Sequence, residues 1–206
     1  MRAIRWIGAL SLVLMLGAGR ASAQVEKTAQ PAADTSKQAA MEAMMKTVSP
    51  GEAHKALEPF AGNWTYTAQW WTAPDAPPES MMGNSSNSLI FGGRFLKQEI
   101  RGESAGQAPF EGLGFTGYDN IRKEYQTIWF DNMATGMMVG SGQFDAESKT
   151  LSDQSDFSCP MTGEAHRRMR TVWKIVDQNH SAYESYMYTS DGKEYKAMVI
   201  NYTRAQ

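Results

Sequence analysis

From Trp64 onward the sequence keeps a side-chain period of two, Trp64, Tyr66, Ala68 and Trp70 alternating with Thr65, Thr67 and Gln69, and no helix-length amphipathic pattern interrupts it. Only β-structure fits. Ten segments qualify as strands by alternation and by aromatic and β-branched content: one from Trp64 to the proline-rich residues 73–78, then 84–91, 95–101, 110–118, 124–130, 136–144, 150–157, 167–176, 182–189 and 193–204. Asp191-Gly192 supplies the positive φ angles of a two-residue hairpin turn, and 145–148 and Asp177-Gln178-Asn179 are weaker versions of the same signal. Hairpin-linked strands still leave two edges, and closing the sheet removes them. The sequence therefore predicts an all-β fold, an antiparallel up-and-down β-barrel of roughly ten strands.

Alternation also assigns faces. On 167–176, Met169, Thr171, Trp173 and Ile175 share the inward face, opposite Arg168, Arg170 and Lys174. On 124–130 both faces are apolar or aromatic, Tyr125, Thr127 and Trp129 against Ile128 and Phe130, which predicts burial on both sides beneath an N-terminal helix. The strand 150–157 is polar on both faces, so it is either an exposed edge or part of a polar interior. Its Asp153 and Asp156, with Glu164 and Glu184, are the carboxylates to consider for acid–base chemistry, although spacing ties no histidine or nucleophile to them.

The first residues have the layout of an export signal. Arg2 and Arg5 precede an apolar run at 7–17, and Ala21-Ser22-Ala23 supplies a small-residue cleavage pattern, so residues 1–23 read as a signal peptide and the product as periplasmic or secreted. No cysteine follows the run to carry a lipid, so no stable membrane anchor is expected after cleavage. Residues 24–48 read as a flexible leader holding a short helix from Lys37 onward, with Met41, Met44 and Met45 on one stripe that docks on the domain or awaits a protein partner. Ser49-Pro50-Gly51-Glu52 reads as a capping box, with Ser49 at the cap, opening a helix to about Phe60, and 49–206 as a single barrel domain.

Composition narrows the function classes. A net charge of −2 and a pI near 5.9 give no basic field for nucleic acid. Cys159 is the only cysteine, which leaves no internal disulfide, and as a nucleophile it would need a base such as His166. His54, His166 and His180 have no metal-ligand spacing, and a haem held by one histidine would call on His166 at the barrel rim. No metal or cofactor is expected. The fourteen methionines, paired at Met44-Met45, Met81-Met82 and Met137-Met138, suit the lining of an apolar cavity better than a Cu(I) site, because adjacent strand residues face opposite ways. The glycines at 92, 93, 112, 114, 117, 140 and 142 open no helix, so they read as bends of a curved sheet, not as phosphate loops.

The motifs GNW at 62–64, GGRFL at 92–96, FEGLGFTGYDN at 110–120, WFD at 129–131 and TG at 135–136 together make the chain resemble the bacterial family called domain of unknown function 1579, over roughly residues 45–204. That resemblance implies a lipocalin-like, calycin-type barrel and brings no catalytic residues with it. Lipocalins proper resemble the chain only in Gly62-x-Trp64 and a basic residue, Arg204, on the last strand, which implies a Trp–Arg stack across the closed barrel end. On this reading Trp64, Phe115, Trp129, Trp173 and Arg204 are the residues to inspect for ligand contact. Three function classes follow: non-catalytic binding of a small hydrophobic or amphipathic molecule, which is favoured; an envelope partner-binding or structural module; and an enzyme acting on a lipophilic small molecule.

Overall fold

Ten strands pair in one antiparallel sheet, and the sheet closes because β1 (Gly62–Trp70) pairs with β2 (Glu79–Ile90) on one side and β10 (Glu194–Arg204) on the other. The computed structural model describes residues 32–103 and 109–206; the expected signal peptide and the first part of the leader lie outside these. By its internal contacts the chain divides into two units, 1–40 and 41–206. The first is described only at the start of α1 (Ala32–Val48), and the second contains the barrel. Between β2 and β10 the order is sequential: β3 (Phe95–Glu103), β4 (Phe110–Asp119), β5 (Glu124–Asp131), β6 (Met138–Asp145), β7 (Thr150–Phe157), β8 (Arg167–Ile175) and β9 (His180–Tyr188). The ten-strand up-and-down barrel is the one the alternation predicts, with β2 starting five residues earlier than expected.

The two ends of the barrel differ. At one end each hairpin turns in four residues, at 91–94, 120–123, 146–149 and 176–179. At the other the connections are longer, 71–78, 104–109, 132–137, 158–166 and 189–193. The short-turn end is also where the N-terminal segment packs, with Leu57 and Phe60 fully buried against Leu96, Tyr125, Leu151, Trp173 and Ile175. Burial of two such side chains is worth about 1.5–3 kcal/mol each. This end is closed and the long-loop end is the mouth.

The closing segment departs from expectation. Its helix α2 spans only Glu52–Lys55, followed by a 3-10 turn at Glu58–Phe60, because Pro59 has no N–H to continue the ladder and disfavours helical backbone at Glu58. Gly51, not Ser49, stands at the cap; its N–H donates to Nδ1 of His54 at 3.1 Å. The Ser49 carbonyl instead accepts from Asn120 Nδ2 at 2.9 Å, as does that of Thr47. α1 begins at Ala32, earlier than the helix expected from Lys37, since Ala32 and Ala33 are strong helix formers. Met41, Met44 and Met45 remain more than half exposed.

Short helices leave most of their carbonyls without partners, and here barrel side chains supply the donors. Arg94 Nη2 donates to the Val48 carbonyl at 2.9 Å, Tyr125 Oη to Ala53 at 2.6 Å, and Asn87 Nδ2 and Trp64 Nε1 to Phe60 at 2.8 and 3.1 Å. Arg204 completes the set, donating to Pro59 at 3.1 Å, Ala61 at 2.8 Å and Gln178 at 2.9 Å. Its guanidinium carbon lies 4.1 Å from the centre of the Trp64 ring, its direct partner across the β1–β10 seam. Gly62, at φ +119°, is required here, because a Cβ would stand 2.3 Å from Arg204 Nη1.

Replacing Arg204 with Ala removes three carbonyl partners and the stack on Trp64, and is expected to cost about 2–3 kcal/mol of stability in urea titrations. Arg204→Lys should recover only part of the loss, since an ammonium cannot serve several carbonyls and lie flat on an indole. An unchanged midpoint in both variants would show that the contact contributes nothing.

Candidate functional site

Antiparallel pairing fixes which side chains enter the barrel, because directly opposed residues share a face. The interior has three levels. Nearest the closed end is the apolar cluster around Phe60 and Trp173, and a second runs from Trp64, beneath Arg204, through Tyr66, Ala68, Ile100, Ile200 and Tyr202 toward the mouth, with Phe110, Trp129 and Met81 packed on it. Between and beside them is a band of buried polar groups.

Asp153 is the centre of that band. It is 8% exposed, and its carboxylate accepts from Thr171 Oγ1 at 2.8 Å, Ser155 Oγ at 3.1 Å and Thr127 Oγ1 at 3.1 Å. Thr127 belongs to β5 and reaches Asp153 on β7 across Gly140 of the intervening strand. Burial raises the Asp153 pKa above the usual carboxylate value, and the three hydroxyls offset only part of that rise. Burial also pushes the Tyr183 and Tyr202 hydroxyls well up, with Asp153 adding to the effect on Tyr183. On the opposite wall Gln98 donates to Ser85, and Ser85 to Asn87. Tyr66 Oη and Trp173 Nε1 are buried and have no hydrogen-bond partner among the described residues.

The mouth is rich in sulfur and aromatic surface. All nine methionines from β2 onward, Met81 to Met198, lie in the mouth half of the barrel or its loops. Met169 and Met187 oppose each other across β8 and β9, and Met198 opposes Trp70 across the seam. Trp129 lies parallel to Phe110, their centroids 6.4 Å apart, and its Nε1 donates to Asp131 at 2.8 Å. The indole rests on the backbone of β4, where a Cβ on Gly112 or Gly114 would stand 2.2 or 2.9 Å from it. These two glycines make room for a ring supplied by the neighbouring strand.

Of the residues singled out from the sequence, Trp64, Trp129 and Trp173 face the interior, while Arg204 lies at the closed end over Trp64. They occupy different levels and do not converge on one point. Phe115 is a correction. It pairs with Ile128 on the outer wall and packs against Phe130, 6.5 Å away, so it cannot share a cavity with Trp129. The expected burial of Ile128 and Phe130 beneath a helix is corrected too: the helical segment meets the inward-facing Tyr125 instead. An open groove of about 620 Å³ runs over this outer wall, lined by Phe95, Phe115, Ile128 and Val139 among charged side chains. It is roomy and open, and where it meets Thr127 and Ser155 their hydroxyls bond Asp153, so the polar chemistry belongs to the interior, the stronger candidate.

The remaining candidates separate. Asp156 points outward and pairs with Nδ1 of His166 at 3.0 Å, in which both side chains are largely exposed. His166 therefore bonds Asp156 and not Cys159. Glu184 lies on the outer face in a cluster with Lys196 and Tyr186, and Glu164 sits in a mouth loop near Arg167. Burial lowers the His54 pKa, and the ring serves the closed end. The polarity of 150–157 was the one sequence signal for the interior band; the unpartnered Tyr66 and Trp173 atoms left none.

The sequence profile of a family described as "Protein of unknown function (DUF1579)" matches residues 49–204. No curated protein matches the chain. Among solved structures it is similar to Rv2717c from M. tuberculosis, with 14% identity, a TM-score of 0.57, and 77% of this chain and all of that one covered. A redesigned β-barrel aligns at 14% identity and a TM-score of 0.38, covering 77% of this chain and 99% of that one. The DFHBI-bound EF1p2_mFAP2b aligns at 7% and 0.39, covering 75% and 100%. At these identities the likeness to Rv2717c concerns the fold alone.

Two outcomes follow from this geometry. An acid whose pKa is raised on folding takes up a proton between its unfolded and folded pKa values, so its contribution favours the folded state at low pH and is lost as pH rises. Asp153→Asn should therefore melt higher than the parent at pH 8, with the gap shrinking toward pH 4; a gap that widens on acidification would contradict the assignment. Gly112→Ala should cost about 1–3 kcal/mol by displacing the Trp129 indole, seen as a lower melting temperature and altered tryptophan emission.

Proposed function

The chain belongs to the DUF1579 family, and from that membership and the barrel it forms we propose that it binds a small hydrophobic or amphipathic molecule inside the barrel without transforming it. The observation that carries this reading is the layering of the interior: an aromatic and methionine-rich mouth leads to buried hydroxyls, a carboxyl and two unpartnered polar atoms. Specific pockets for apolar molecules have this composition, with much adaptable apolar surface and a few polar groups that set orientation. The closed end is fixed by Arg204 and its neighbours, so access is through the mouth, whose longer loops leave it freer to open. Trp64 and Arg204 act as supports, and Trp129 and Trp173 as walls.

An enzyme reading has less support. Among the described residues Asp153 is the inward carboxylate surrounded by hydroxyls, and none of its partners there is a histidine or a reactive nucleophile. A partner-binding role draws on the exposed Met41, Met44 and Met45 stripe of α1. Arg2, Arg5 and the apolar run after them support placing the protein in the periplasm or outside the cell, where it would meet lipophilic molecules.

Native mass spectrometry of protein purified from its own compartment should show a co-purifying mass lost on denaturation. Trp129→Ala should weaken recapture of the extracted molecule about tenfold, a loss of roughly 1.4 kcal/mol. A protein that never carries a bound mass and binds no lipophilic probe would overturn the proposal.

A further inference from the structure

We infer that the molecule held in the barrel is electrically neutral and carries acceptor oxygens, as in a ketone, ester or quinone, and that Tyr66 Oη and Trp173 Nε1 are the groups that receive them. The inference rests on the ligand-binding reading above. Both side chains point inward and are under a tenth exposed, Tyr66 at 3% and Trp173 at 7%, and neither polar atom has a partner among the described residues. An unpaired buried donor forfeits its bond to water, so such atoms persist where another partner fills the need. The indole N–H can only donate, which requires an acceptor opposite it. The two flank one ring: Tyr202 lies 5.8 Å from Tyr66 and 6.2 Å from Trp173 between centroids.

Charge sets the rest of the class. Among the described residues the polar band contains Asp153, bonded to hydroxyls, and no basic side chain, so an anionic head placed there would meet a carboxyl and no cation. The inward-facing arginines are at the ends. Arg204 is occupied by carbonyls at the closed end, and Arg167 at the mouth lies 3.5 Å from Glu164 and bonds Cys159 and Tyr195. Among the described residues a fatty-acid carboxylate finds no free cation beside Tyr66 or Trp173. The three hydroxyls on Asp153 already satisfy its oxygens, so a cationic head is not called for either.

The test compares three probes of equal chain length on the full chain, following tryptophan emission and displacement by isothermal titration: methyl undecyl ketone, tridecane and tridecanoic acid. The ketone should bind at least tenfold more tightly than the alkane, and the acid more weakly than the ketone at pH 8. Tyr66→Phe should bring the ketone-to-alkane affinity ratio below threefold, and should raise the melting temperature of the ligand-free protein, which a purely structural hydroxyl would not do. Trp173→Phe provides the second arm, read as the ketone-to-alkane ratio so that any loss of packing cancels. Equal binding of ketone and acid, or a ratio unmoved by Tyr66→Phe, overturns the inference and leaves the ligand-binding reading standing. Failure of all three probes to bind, with no co-purifying mass, overturns both.

Discussion

A barrel made of hairpins is finished only when its first and last strands meet, and in this chain the guanidinium of Arg204 lies where they do. It bonds backbone carbonyls of the N-terminal segment and of the turn before β9, and its flat face covers Trp64, so one side chain ties the seam to the segment that closes the barrel. The arrangement is sound because each partner lacks an alternative. The carbonyls of Pro59 in the 3-10 turn, of Ala61 after it and of Gln178 in a hairpin turn have no helical ladder to join, and an indole buried to 2% exposure offers its face to a cation at little desolvation cost.

Fixing one end confines variation to the other. The closed end combines four-residue turns, the Asn120 and Arg94 bonds to the incoming chain, and the buried Leu57 and Phe60. The mouth has longer connections and flexible thioethers. Between them the polar band is held by Asp153, whose burial disfavours its charged form. Structural rigidity and chemical adaptability are thus separated along the barrel axis, which lets an interior keep unpartnered polar atoms without endangering the fold.

The sequence reveals the wall better than its contents. Strand number, antiparallel order, the inward set on β8 and the Trp64–Arg204 contact follow from alternation, turn residues and resemblance, because these are properties of single strands or of known motifs. Phe115 misleads because the inward residues of β4 are Gly112 and Gly114, and the ring that fills their space comes from Trp129 on another strand. An alternation of glycine and phenylalanine suggests the reverse. Ser49 misleads similarly: the cap pattern is present, but Asn120, more than seventy residues away, claims the backbone around it. The role of Asp153 is half legible, since polarity on both faces of β7 signals a polar interior without saying which hydroxyls surround the carboxyl. Contacts made across strands leave no local spacing to read.

The seam has a kinetic meaning as well. Trp64 and Arg204 are among the pairs most distant along the chain, and loop closure over such a span carries a large entropic cost before any contact offsets it. Until the final strand is in place, β1 and β9 would present unpaired edges, the surfaces on which strands of separate molecules join. Pairing of β10 therefore decides whether the chain closes on itself or stays an open sheet that seeks its missing strand from a neighbour.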